Sequence, residues 1–397
     1  MQVRSIKQLK SLRGKTVLVR VDFNVPIEKS VVKESYKISQ SLPTISYLLK
    51  KGAKVILVSH LGRPKSGYAA TSSLKPLVAI LTNLLKKEVI FLSDKNCGSG
   101  YWIKARKKIG ASAPGSVILL ENIRFFTGEA ENSLVLSQAM ASLADVFVFD
   151  GFAVAHRRIA SVTGVSTLLP AYAGLLLEKE IVGLNRVLDH PKQPLVVILA
   201  GVKMETKIPV LKNLFKIADH ILIGGGVFNT YLQALGRQLG QTRLDRGLLA
   251  EALKYCSNPK VIKPVDVVVG SADGKKARVI KVNNNLKIND TEGIFDIGPE
   301  SVKLFSQYIK KARTIVWNGS MGNFEQHPYE YATYAIARML GERSSGRAFG
   351  VCGGGETVEI IRHLRVADQI DLVSTGGGAM LKFLGGEVLP GIAAVQN

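Results

Sequence analysis

Short apolar runs alternate along this chain with longer stretches whose apolar residues fall at helical spacing. In the first half, residues 16–21, 54–59, 88–92, 116–120 and 146–149 read as short strands. The pattern returns near 195 and at 220–223, 265–269, 314–317, 347–351 and 371–374. Runs that are apolar on both faces, set between amphipathic stretches, predict parallel sheets covered by helices on both sides, hence an α/β protein. Residues 278–284, followed by Asn285, read as an added hairpin arm. Residues 175–188 keep helical periodicity, interrupted only by Gly183, until Pro191 and Pro194 close the stretch; they read as a helix linking two domains.

Length agrees with two domains of near-equal size, because 397 residues exceed one ordinary core. No run of about 18 apolar residues occurs, and the charged start (Arg4, Lys7, Lys10, Arg13, Lys15) has no apolar core behind it. We therefore expect neither a membrane span nor a signal peptide, and a cytoplasmic protein. Cys97, Cys256 and Cys352 are scattered outside any C-x-x-C pattern, which argues for a reducing compartment and against structural zinc. The net charge of +22 invites a nucleic-acid partner. Its even spread, with only short clusters such as 104–108 and no interleaved aromatics, argues instead for a solvated basic surface with a preference for small anions.

Ligands of parallel sheets gather at the carboxyl ends of strands, so the residues that follow each run carry the functional question. In the first half these are Arg20, Asp22 and Asn24 in RVDFNVP, His60 and Arg63 in SHLGRP, Arg124 in ENIRF, and His156 with Arg157 in AHRR. One such residue is an ordinary surface ion-pair partner; four loops that each supply Arg or His would build one cationic basin, and guanidinium forks suit carboxylate and phosphate. In the second half the corresponding positions hold Gly224-Gly225-Gly226, Gly353-Gly354-Gly355-Glu356-Thr357 and Gly376-Gly377-Gly378. Such triplets let backbone approach a phosphate at a helix N-terminus, and they equally fit tight turns. Neither the P-loop nor the complete G-x-G-x-x-G fingerprint is present.

At the seam of the two halves, LVVILAGVKMETKI carries Lys203 and Lys207 four residues apart. A helix beginning at Met204 would set both ammonium groups on one side of its first turn, beside N–H groups that also attract anions.

From about Val17 to Ile392 these motifs, with LIGGGVFNTYL, DIGP, WNGSMGNFE, CGGGET and STGGGA, resemble the phosphoglycerate kinase family in order and spacing. The resemblance implies two Rossmann-like parallel-sheet domains joined by an interdomain helix and hinge. Residues 1–172 would form the acid-substrate domain, 173–190 the linking helix and 191–385 the nucleotide domain, with 386–397 returning to the first domain. The implied reaction is reversible phosphoryl transfer from 1,3-bisphosphoglycerate to ADP, giving 3-phosphoglycerate and ATP, with Mg2+ accompanying the nucleotide. Implied substrate contacts are Asp22, Phe23, Asn24, Lys37, His60, Leu61, Gly62, Arg63, Arg124, His156 and Arg157. Implied nucleotide contacts are Lys207, Gly225, Gly226, Asn318, Glu325, Gly354, Gly355, Glu356 and Thr357, with Glu356 on the metal. Lys37, Lys203, Lys207 and Gly355 would act on the transferring group. The expected protein is a monomer that works on small molecules, with no specific nucleic acid and no membrane.

Several positions depart from the family pattern. Lys37 stands where the family has an arginine, Glu356 where it has aspartate, Ser320 where it usually has proline, Ala153-Val154 where it has Gly-Thr, and Ile159 where some members have a second histidine. The first two touch the chemistry and motivate a rival reading, a nucleotide-binding protein of the same fold without turnover. A nicotinamide dehydrogenase is disfavoured by the missing ribose-binding acid.

Overall fold

Six strands that are apolar on both faces form the first sheet: β1 (Thr16–Arg20), β2 (Lys54–Val58), β3 (Val89–Leu92), β4 (Val117–Leu120), β5 (Val146–Phe149) and β6 (Ala171–Ala173). They run parallel in the order β3-β4-β2-β1-β5-β6. Val17, Leu18 and Val19 are all buried, so neither face of the central strand meets water and no polar alternation appears in its sequence. The chain builds outward from β1 through β2 and then returns to place β5 on the other side of β1. The loops after β4, β2, β1 and β5 therefore lie side by side along one edge.

The second sheet repeats this plan with β7 (Leu195–Leu199), β8 (His220–Ile223), β9 (Val261–Ile262), β13 (Thr314–Asn318), β14 (Phe349–Gly353) and β15 (Leu372–Ser374). Its parallel order is β9-β8-β7-β13-β14-β15, with the reversal between β7 and β13. Residues 265–269, expected in this sheet, lie elsewhere. As β10 (Asp266–Gly270) they form the centre of a separate antiparallel sheet between β11 (Arg278–Lys281), the expected hairpin arm, and β12 (Gly293–Ile297). The reason is the link from β10 to β11, which contains Asp273-Gly274 and is too short for a crossover helix; such a turn returns the chain antiparallel.

The computed structural model describes residues 2–64, 67–93 and 95–396. Two compact units hold these sheets, one of Met1–Ile181 with Val388–Asn397 and one of Val182–Glu387. In the first unit Lys37 lies on α1 (Tyr36–Lys50). The chain passes from one unit to the other within α2 (Leu175–Leu188). At the start of α2 the buried Asp150 carboxylate accepts from the N–H groups of Leu176 at 3.0 Å and Leu177 at 3.2 Å, serving donors that a helix leaves unpaired. The C-terminal segment is tied within the first unit: Arg4 N–H donates to Val395 O and Gly391 N–H to Ala155 O, each at 2.8 Å. Among the described residues no helix is long and apolar enough to cross a membrane.

Candidate active site

In the first unit the four neighbouring strand-end loops bring their cations together over a braced polar floor. Arg20 ends β1 with 1% of its surface exposed, so its guanidinium must be paired within the protein. Its Nε donates to Ser161 Oγ at 2.8 Å, one Nη donates to Val21 O, and the other lies 3.3 Å from His60 Nδ1. Because arginine only donates, Nδ1 of His60 accepts. Burial pushes the His60 pKa down to about 3 against the pull of Asp22, with Arg20, Arg124 and Lys37 also disfavouring a second charge. His60 is thus a neutral imidazole, and its 3.6 Å approach to Asp22 is not an ion pair. Ser161 passes the network on, donating its hydroxyl to Glu129 Oε1 at 2.6 Å and its N–H to Oε2 at 3.0 Å.

Asp22 accepts from Lys37 Nζ at 2.8 Å and from Asn24 N–H at 3.2 Å. Burial works to raise its pKa, but Lys37 and the neighbouring basic groups outweigh it, and the carboxyl sits below its usual range. The loop after β1 is fixed to the loop after β2: Phe23 N–H donates to Ser59 Oγ and Gly62 N–H to Asn24 Oδ1, both at 2.8 Å. Gly62 adopts φ 63°, a left-handed conformation that favours glycine. Arg124 donates to Gly62 O; burial and then the charges of Arg157 and Arg20 lower its pKa. Arg63, Arg124 and Arg157 line one cleft of about 490 Å³ with Glu129, Glu131 and Ile159. Such a set of cations in mutual repulsion is relieved by an anion.

The second unit works through backbone. After β7, Lys207 precedes α3 (Ile208–Leu214), and after β8 the triplet opens α4 (Gly225–Ala234). A Cβ on Gly225 would fall 2.9 Å from Gly201 N and Ser320 O, and one on Gly226 would fall 2.7 Å from Val202 Cα, so these positions admit only glycine without displacement. After β14, α5 (Gly355–His363) begins behind Gly354, whose φ is 112°. Three bonds stitch the end of β13 to this turn. Asn318 Nδ2 donates to Gly353 O, Gly319 N–H to Thr357 Oγ1 at 2.8 Å, and Ser320 Oγ to Glu356 Oε2 at 3.1 Å. Lys207, 5% exposed, donates to Asn318 Oδ1. Burial pushes its pKa down to about 8, with Glu356 pulling it upward.

Gly225, Gly226, Glu325 and Glu356 line one cleft with Gly201, Ser320 and Arg243. Lys207, Asn318, Gly354 and Thr357 stand behind it in the hydrogen-bonded turn, while Gly355 is exposed with open space at its Cα. Lys203 and Lys207 do not share a helical side, contrary to the sequence expectation. Met204–Thr206 is a 3-10 turn with Lys203 as its N-cap and Lys207 as its C-cap, and Lys203 is exposed while Lys207 is buried. In the first unit Leu61 is buried, and His156 is half-buried beside Arg157. Sequence reasoning missed Glu129 and Ser161 as supports of the basin, and it named Arg20 only as a strand-end cation. An arginine closing an otherwise apolar strand was the available signal that buried partners must exist. Asn229 and Arg243 in the second cleft gave no comparable signal.

Among the described residues no group of three His, Cys, Asp or Glu side chains could by itself hold a metal ion. The donor set suits magnesium in its other mode, in which one or two carboxylates and the substrate's phosphates share an ion that keeps several waters. Glu356 is exposed at the start of α5, oriented by Ser320 and near the buried Lys207.

Comparison with known proteins assigns the chain to a family. The family model for phosphoglycerate kinase matches residues 6–387. The chain is similar to phosphoglycerate kinase of Pelotomaculum thermopropionicum, 42% identical over 395 residues that cover 97% of each chain. It is likewise similar to that of Xanthobacter flavus, 39% identical over 402 residues and 99% of each. Among solved structures, phosphoglycerate kinase from Coxiella burnetii superposes with a TM-score of 0.84 at 35% identity over 99% of both chains. The enzyme from Pyrococcus horikoshii superposes with a TM-score of 0.85 at 30% identity, over 99% of this chain and 98% of that one. With near-complete coverage in every comparison, the chain belongs to the phosphoglycerate kinase family, enzymes that transfer a phosphoryl group to and from a carboxyl group.

Proposed function

We propose that this chain catalyses reversible phosphoryl transfer from 1,3-bisphosphoglycerate to ADP, giving 3-phosphoglycerate and ATP. The observation that supports it best is the contrast between a basin lined by Arg63, Arg124 and Arg157 in one unit and a glycine-floored cleft beside Lys207 in the other. We assign the first unit the acid substrate and the second the nucleotide. Arg63, Arg124 and Arg157 neutralise its carboxylate and phosphate, while Asp22, Asn24 and neutral His60 supply directional hydrogen bonds. Lys37 and Lys207 stabilise charge on the transferring group, with Lys203 assisting from the exposed turn and the Gly354–Thr357 turn receiving the nucleotide phosphates.

An acyl phosphate is already a good donor and a diphosphate a good acceptor, so alignment and charge stabilisation suffice and no general base is required. Magnesium held by Glu356 would supply further charge neutralisation of the nucleotide phosphates. Water must be kept from the acyl phosphate, which gives closure about α2 its purpose. We further propose that the protein acts as a cytoplasmic monomer. A coupled assay with purified protein, 3-phosphoglycerate and Mg-ATP tests the activity directly. Turnover is expected; binding of both ligands without turnover would instead establish the rival, a binding protein motivated by Lys37 and Glu356.

A further inference from the structure

Two neighbours make opposite demands on Nδ1 of His60. Arg20 reaches that nitrogen with one Nη at 3.3 Å, and Asp22 Oδ1 stands 3.6 Å from it. A carboxylate would draw a hydrogen onto Nδ1, whereas a guanidinium, which can only donate, requires Nδ1 to be bare. Only the arginine is within hydrogen-bond reach, and Asp22 Oδ1 already accepts from Asn24 N–H at 3.2 Å. The hydrogen of the neutral ring therefore belongs on Nε2. Among the described residues Nε2 makes no hydrogen bond and is not closed off from solvent, so it is the ring atom that a ligand in the basin can meet.

What keeps Arg20 on this task is a spacer. Glu129 and Asp22 both attract the buried guanidinium, and a fork free to choose would close on a carboxylate with two parallel bonds. Ser161 stands in the way. Its Oγ accepts from Arg20 Nε at 2.8 Å and donates to Glu129 Oε1 at 2.6 Å, while its N–H fills Oε2 at 3.0 Å. Both carboxylate oxygens are thereby served, and the two Nη atoms are left for Val21 O and His60. Resting on the assignment of the first unit to the acid substrate, we propose that Ser161 and Arg20, anchored by Glu129, are positioning residues that hold the His60 hydrogen on Nε2 and aim it at an anionic oxygen of the substrate. The reversed tautomer would turn a lone pair towards that oxygen. A doubly protonated ring is opposed by burial, which outweighs the pull of Asp22 and is reinforced by Arg20, Arg124 and Lys37, and the pKa lies at about 3. The relay thus supplies a histidine donor that carries no charge.

The test is ring-nitrogen NMR of the whole protein labelled at histidine, with His60→Gln to assign the signals, joined to calorimetry with 3-phosphoglycerate and with ADP. Wild type should show a bare Nδ1 and a protonated Nε2 at His60, unchanged across the range in which a free histidine titrates. Ser161→Ala keeps every charge and the backbone bond to Glu129, but lets the Arg20 fork close on that carboxylate. The His60 hydrogen should then move to Nδ1, towards Asp22, and 3-phosphoglycerate affinity should fall roughly 10-fold with ADP affinity unchanged. A wild-type hydrogen on Nδ1, a doubly protonated His60 near neutral pH, or a Ser161→Ala protein whose affinity falls while its tautomer stays each overturns the inference. If Ser161→Ala does not fold, the wild-type spectrum decides, because among the described residues Arg20 is the one donor that reaches Nδ1. Wild type that carries the hydrogen on Nε2 but does not bind 3-phosphoglycerate would overturn the acid-substrate reading and the aim assigned to His60, whereas a wrong tautomer overturns this inference alone.

Discussion

The two units present positive character to anions with different materials. In the first, side chains do the work: Arg63, Arg124, Arg157 and Lys37 project from separate elements, and their floor is a buried relay from Glu129 through Ser161 and Arg20 to His60. In the second, backbone does most of it, with glycines that leave no room for a Cβ, helix N-termini behind them and one buried lysine. A small acid with charges at both ends is gripped best by forks that reach around it. A polyphosphate is gripped best by N–H groups that approach it closely. The contrast predicts that single side-chain changes are felt locally and selectively in the first unit, and that Lys207 is the one side chain of the second with a large effect.

The largest effect should therefore follow Lys207→Ala, which removes charge stabilisation that is strongest in the transition state and lowers turnover by on the order of 100-fold or more. The Lys207 pKa of about 8 gives the pH signature. The ammonium is lost as pH rises through that value, so wild-type kcat/KM should fall above pH 8 while the residual activity of the variant should not follow it. Stability moves the other way. The folded pKa lies below the ordinary lysine value of 10.5, so the unfolded chain binds this proton more tightly. The cost of burying the charge is present below pH 8 and fades between about 8 and 10.5. Urea unfolding across that window, compared with Lys207→Ala, checks the sign. A flat pH–rate profile would mean that Lys207 holds only structure.

Next in size is Arg124→Ala. Loss of a charge-assisted contact should weaken 3-phosphoglycerate binding by roughly 10- to 150-fold and leave ADP affinity unchanged. Calorimetry with each ligand separates the units, and a fall in ADP affinity would collapse the comparison between them. Lys37→Arg comes third. Lys37 spends one donor on Asp22 at 2.8 Å, whereas a guanidinium could hold Asp22 and still offer a fork outward. We expect turnover to rise about 10-fold at saturating substrates. An unchanged or slower variant would show that the loop has been rebuilt around lysine.

How much of this was legible in the sequence follows from the same contrast. Arg, His and Asp after apolar runs announce themselves by residue type, and the parallel order of β4, β2, β1 and β5 gathers their loops at one edge. The glycine triplets were equally visible, but whether each was a turn or a cradle depends on what a Cβ would strike, such as Gly201 N opposite Gly225. The antiparallel placement of β10 was hidden because its apolar run looks like any buried strand, and only the short link before β11 decides its partner. β6, of three residues, and β9, of two, are too short to show periodicity. The supposed common side of Lys203 and Lys207 failed because the chain tightens to a 3-10 turn between them, which spacing alone does not reveal.

The smallest predicted effect concerns two positions that depart from the family pattern and are bonded to each other. Ser320 Oγ donates to Glu356 Oε2 at 3.1 Å, at the edge of the glycine-floored cleft of the second unit. An aspartate at 356 would be one methylene shorter and would draw its carboxylate back along the chain, away from the serine. The longer side chain gains reach and loses rigidity, and the hydroxyl restores a fixed direction. Because Glu356 is exposed, the bond is worth little by itself. Ser320→Ala should weaken Mg-ADP binding by about 3-fold and leave metal-free ADP binding unchanged. In the Glu356→Asp background the same serine substitution should have no effect. Calorimetry on the four proteins, with and without magnesium, closes this cycle. Additive changes, or a loss that appears equally without magnesium, would show that Ser320 supports the turn and does not aim the carboxylate.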